Sequence, residues 1–113
     1  MPKGDFVGEF ELYVLLAITH LNADAYGIRI REVIEDRTGR DVAIGAVYAT
    51  LGRLEDKGLV SHERSDPQPV PGGRARKYFR LTAAGRTALS HSATMLTRML
   101  AGFRPADLKG RAR

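Results

Sequence analysis

The stretch that most constrains this chain is Ser65–Gly73, which holds Pro67, Pro69, Pro71, Gly72 and Gly73. Proline lacks a backbone donor and fixes φ, and adjacent glycines open turn conformations, so the run fits neither a helix nor a central strand. On either side stand two short runs of strand character, Leu59–Arg64 and Lys77–Leu81. Together the three segments predict a β-hairpin with a long loop. The chain before the hairpin reads as helix. Phe6 to Leu21 is apolar nearly all round, with Glu9 and Glu11 as its early charges, which is the pattern of a helix buried on most faces.

Two more helices precede the hairpin. Tyr26, Ile30, Val33 and Ile34 repeat at i, i+4, i+7 and i+8, so an amphipathic helix is expected there, capped by Asp24 and stopped by Gly39. From Ile44 a third helix carries Val47, Leu51 and Leu54 on one face. It closes at Lys57-Gly58-Leu59, where Gly58 suits a left-handed position and Leu59 folds back as its apolar contact. After the hairpin, Thr82 caps a last helix that is expected to run to about Phe103, where Arg104-Pro105 ends it. Leu89, Ala93, Leu96, Leu100 and Phe103 step by four, three, four and three, the spacing of a seam between paired helices. The expected fold is mainly α with a small β-hairpin: a winged helix-turn-helix over residues 1–82, a C-terminal dimerisation helix over 83–104 and a basic tail over 105–113.

Composition narrows the function. With 113 residues the chain is one domain, and with no cysteine it has no disulfide framework, thiolate zinc site or Cys nucleophile. His20, His62 and His91 fall in separate elements without the spacing of metal ligands, and Gly72-Gly73 is followed by no phosphate-binding Lys-Ser/Thr. No enzyme, metal site or cofactor is expected. Leu12–Ile18 is too short to span a membrane and the start lacks a signal-peptide layout, so a cytoplasmic protein is expected. The net charge of +5 is uneven. Residues 1–58 carry seven basic against ten acidic side chains, whereas residues 59–113 carry eleven against three. A basic half of this kind suits a polyanion, most often nucleic acid.

In a winged helix-turn-helix the third helix enters the major groove of DNA. With Val47 turned inward, Gly45, Ala49, Gly52 and Asp56 face outward, with Tyr48 on one flank and Ala46 and Arg53 on the other. Small residues allow close approach to DNA but donate few hydrogen bonds. Tyr48 either reaches a phosphate through its hydroxyl or packs as a half-buried core aromatic. Arg53 reaches a phosphate or a guanine edge, or is a plain surface cation, and Thr50 reads bases only if it rotates outward. Arg74, Arg76 and Lys77 beside the loop make a basic finger suited to phosphates or the minor groove.

The run Ile44–Val60 (IGAVYATLGRLEDKGLV) resembles the Gly-x-x-Tyr-x-x-Leu-x-Arg-Leu-Glu-x-x-Gly-Leu signature of the PadR family of bacterial transcriptional regulators. Gly72–Thr82 is similar to that family's wing and second strand, and Ala25–Ile30 to the start of its second helix. The resemblance implies a homodimeric repressor of a two-fold operator in double-stranded DNA. It implies that the last helix pairs with its mate and with the mate's first helix, which places Phe6 and Phe10 beside the seam residues. It also implies that Tyr26 and Tyr48 contact the DNA backbone. Two departures stand out: Ala43 replaces the usual Ser or Thr cap of the third helix, and a single C-terminal helix puts the chain in the short subgroup. A small apolar effector at the dimer interface is expected to relieve repression. With no Trp it cannot be held by tryptophan stacking, which leaves a cavity lined by Phe10, Met95 or Met99. The alternatives are a MarR-like regulator, disfavoured by the short chain, and a winged-helix protein-interaction module that does not bind DNA.

Overall fold

Helix α1 (Glu9–Leu21) lies at the centre of the core because its apolar side chains point in several directions: Leu12, Val14, Leu15, Ala17 and Ile18 are all buried. The computed structural model describes residues 7–65 and 76–109. Phe6, Arg74, residues 66–75 as a whole and residues 110–113 lie outside that range. The remaining elements follow as α2 (Gly27–Thr38), α3 (Ile44–Asp56), β1 (Val60–Arg64), β2 (Lys77–Leu81), α4 (Ala83–Leu100) and α5 (Pro105–Lys109). Ile30 and Ile34 of α2, Val47, Leu51 and Leu54 of α3, Leu59, and Phe79 of β2 close around α1 as one apolar cluster.

The ends of the elements are fixed locally. Gly39 closes α2 at φ +74°. Gly58 takes φ +76° after α3, its N–H donating to Glu55 O, while the Leu59 N–H reaches back to Leu54 O at 2.9 Å and the Leu59 side chain is buried. This is the left-handed helix stop expected from Lys57-Gly58-Leu59. Thr82 caps α4 as expected: its hydroxyl accepts from the Gly85 N–H at 3.0 Å and donates to Gly58 O at 2.6 Å, joining the two helix ends. The strands pair antiparallel with Val60 opposite Leu81 and Arg64 opposite Lys77. The Phe79 N–H donates to Ala25 O at 2.8 Å, which ties the hairpin to the start of α2.

Two expectations are corrected and one condition is decided. Asp24 does not cap α2; it ends a 3-10 turn over Asn22–Asp24, and Tyr26 holds the cap position without a side-chain bond. The condition under which Thr50 could read bases, an outward rotation, is not met, since Thr50 is buried. Helix α4 stops at Leu100, with Gly102 at φ +79°, and Pro105 opens α5 instead of ending the helical chain. A proline is well placed in the first turn of a helix, where its missing N–H has no intrahelical partner anyway.

Only the beginning of α4 belongs to the core, through buried Gly85 and Ala88. Beyond Ala93 the helix leaves the body, stretching the described chain to 61 × 32 × 20 Å with a radius of gyration of 16.7 Å. A compact chain of this length has a radius near 13 Å.

Candidate nucleic-acid interface

The outward side of α3 is set by what its inward side buries. With Val47, Thr50, Leu51 and Leu54 in the core, Gly45, Ala46, Tyr48, Ala49, Gly52, Arg53 and Asp56 are exposed. A Cβ built on Gly45 or Gly52 would meet nothing within 4 Å. Neither glycine is therefore demanded by packing among the described residues, although Gly52 costs the helix about 1 kcal/mol relative to Ala. Ala43 offers the start of α3 no side-chain acceptor, as its identity predicts.

Tyr48 is half exposed, and its ring end lies against α2. A Cβ on Gly27 would come within 2.5 Å of both its Cζ and its hydroxyl oxygen. Gly27 is thus the residue that lets the phenol settle at the start of α2, next to Tyr26. The Tyr26 ring meets Tyr78 edge-on at 5.6 Å between centroids, and the Arg76 guanidinium sits 4.3 Å from the Tyr26 centroid. Such a stack holds an arginine in place without neutralising it. Tyr26, Ile28, Tyr48, Arg64, Arg76 and Lys77 line one groove of about 300 Å³ where α2, α3 and the Arg64–Lys77 end of the strand pair converge. Arg64 and Lys77 face each other across the strands, an arrangement of like charges that weakens a hairpin unless an anion joins them. Among the described residues no carboxylate forms an ion pair with either of them or with Arg76.

On the opposite flank of α3 lies a charge cluster that local sequence patterns did not reveal. Glu11 of α1 is only 8% exposed. Its carboxylate accepts from Lys57 Nζ at 2.9 and 3.0 Å and from the Gly8 N–H at 3.0 Å, and it lies 3.9 Å from Arg53 Nε. Burial by itself raises the Glu11 pKa, but the Lys57 and Gly8 bonds and the Arg53 charge outweigh it and hold the carboxyl below its ordinary value. Arg53 in turn donates from Nη2 to Thr50 Oγ1 at 3.0 Å. The partner of Glu11 is 46 residues away, so no spacing rule could have found it.

The residues expected at a dimer seam divide. Leu89 and Phe10 are partly buried against their own core, with Arg40 over the Phe10 ring, and Ala93 is half-buried. Leu96, Leu100 and Phe103 are exposed, together with Met95, Leu108 and Met99, the last of these 82% exposed. Among the described residues no group of three or more His, Cys, Asp or Glu is placed to hold a metal ion, and no helix is long and apolar enough to cross a membrane.

A three-helix body, a hairpin laid beside its third helix, and a basic, aromatic groove between them define a winged helix-turn-helix of the gene-regulatory type. The chain belongs to the transcriptional regulator PadR-like family, whose sequence model matches residues 14–91. It is 42% identical over 79 residues to transcriptional regulator Rv3488 of Mycobacterium tuberculosis, covering 68% of this chain and 69% of that protein. Among solved structures it is similar to a PadR family transcriptional regulator from Eggerthella lenta, with 26% identity, a TM-score of 0.62 and 82% of each chain covered. A PadR-like transcription factor from Bacteroides fragilis shares the fold, with 24% identity, a TM-score of 0.63, and 80% of this chain and 82% of that chain covered. The protein is a PadR-like transcriptional regulator. Membership of that family sets aside the MarR alternative.

Proposed function

We propose that the protein is a cytoplasmic, homodimeric repressor that binds a two-fold symmetric operator in double-stranded DNA. The reading rests chiefly on the groove of Tyr26, Tyr48, Arg64, Arg76 and Lys77, in which unneutralised cations and phenol groups flank a helix face of small residues. In this reading Tyr26, Tyr48, Arg76 and Lys77 hold phosphates, as does Arg74, which lies outside the described residues. Gly45, Ala46, Ala49 and Gly52 let the α3 backbone approach the major groove, where Ala methyl groups touch thymine and Arg53 supplies a hydrogen-bonding edge. The bare space around Gly45 and Gly52 supports close approach by an outside partner.

Residues 1–82 form the DNA-binding unit in this reading, 83–104 the dimerisation segment built on α4, and 105–113 a basic C-terminal segment that begins with α5. The exposed run from Met95 to Phe103 supports pairing with a second copy. Relief of repression falls to a small apolar molecule held among the flexible thioethers of Met95 and Met99 at that interface.

The wing supplies the test. Replacing Arg74, Arg76 and Lys77 together by Ala is expected to weaken operator and random duplex by similar factors, because phosphate contacts carry no base information. The slope of log K against log salt should flatten by about 0.9 for each phosphate that the wing no longer neutralises. A slope equal to that of the wild type, measured by a salt titration of duplex binding, would take the wing out of the interface.

A further inference from the structure

Arg53 is the one long hydrogen-bonding side chain on the outward face of α3 that carries positive charge, and the fold holds it on one side only. Its Nη2 is bonded to the buried Thr50 hydroxyl and its Nε faces the buried Glu11 carboxylate, while 58% of the side chain is exposed. A guanidinium has five donors in a rigid plane, so fixing one edge sets the direction in which the remaining donors point. Recognition of a base edge needs such support, since a loosely held donor loses geometry before it loses charge.

We propose that Glu11, on a helix that does not itself face the groove, is a positioning residue for Arg53: with Thr50 it anchors one edge of the guanidinium so that the other meets the operator in a fixed place. The proposal rests on the reading of Arg53 as a DNA contact. It assigns Glu11 an effect of unusual sign. A carboxylate near DNA opposes binding in general, so removing its charge leaves affinity for arbitrary duplex equal or higher. Operator affinity falls because the anchored geometry is gone. A purely structural role would weaken both together.

The experiment measures dissociation constants for the selected operator and for a random duplex at one salt concentration. The full-length variants are Glu11→Gln, Thr50→Val, Arg53→Ala and the double variant Glu11→Gln/Arg53→Ala. Thr50→Val removes the second anchor without touching the Glu11–Lys57 pair, so it carries the test if Glu11→Gln folds poorly. Each single anchor variant is expected to lower the operator-to-random affinity ratio roughly three- to tenfold, with random-duplex binding unchanged or tighter. In the Arg53→Ala background Glu11→Gln should cost the operator nothing further, the non-additivity of groups that act through one another. If Arg53→Ala leaves operator affinity unchanged, Arg53 is not a DNA contact and the underlying reading fails. If Arg53→Ala costs affinity but Glu11→Gln costs as much again in its background, or weakens both duplexes alike, the contact stands and the positioning role is overturned.

Discussion

Leu96→Glu is expected to yield a folded monomer that has given up most of its affinity for a two-fold operator. Leu96 is about half exposed in the single chain, and its neighbours Met95, Met99 and Leu100 are exposed as well, so the carboxylate disturbs no packing within the subunit. In a seam between two copies of α4 it would be buried with its own symmetry mate, and burying an unpaired charge costs several kcal/mol. The dimer should therefore separate while the thermal transition of the winged-helix body remains. Breaking the link between two reading heads removes the effective-concentration advantage, roughly a 10²–10⁴-fold fall in operator affinity. Sedimentation and a binding titration read the two effects separately. A variant that still sediments as a dimer would show that α4 is not the interface.

Gly85→Ala has the largest effect expected on stability. A Cβ at this position would lie 1.9 Å from the Leu59 carbonyl oxygen and 2.9 Å from its carbon, both backbone atoms that cannot swing aside. Leu59 O is also the acceptor for the Thr82 N–H, so any shift disturbs the junction of hairpin and α4. Overpacking of this kind costs roughly 3 kcal/mol, a large share of the 5–15 kcal/mol that holds a typical domain together. The melting temperature should fall by about 10 °C or more. Gly52→Ala makes the same chemical change where the added carbon meets nothing, and helix propensity alone should then raise stability by about 1 kcal/mol. Denaturant melts of the two variants should move in opposite directions; a Gly85→Ala protein as stable as the wild type would contradict the close approach of α4 to Leu59.

Much of this fold is legible in the sequence because its punctuation is local. Gly58 with Leu59 behind it, and Thr82 three residues before Gly85, each act through neighbours within a turn of chain. The misread boundaries involve residues with two uses. Asp24 has a capping side chain but stands in a 3-10 turn, and Pro105 ends one helix pattern while opening another. The site divides in the same way. The outward face of α3 follows from helical periodicity, whereas the stack of Arg76 on Tyr26 and the Glu11–Lys57 pair join residues far apart in sequence. Glu11 looks like one more charge in the first turn of a helix until the fold brings Lys57 to it.

A symmetric dimer reading DNA through α3 and the wing is tested most directly by selecting bound duplexes from a random pool and then altering the spacing within the winner. The enriched sequence should have two-fold symmetry, with half-sites about 10 base pairs apart, centre to centre. Inserting roughly five base pairs at its middle, half a helical turn, should drop affinity toward that of random duplex, because the two subunits would then face opposite sides of the helix. Selection of a single asymmetric half-site, or binding that stays tight after the insertion, would contradict the symmetric dimer.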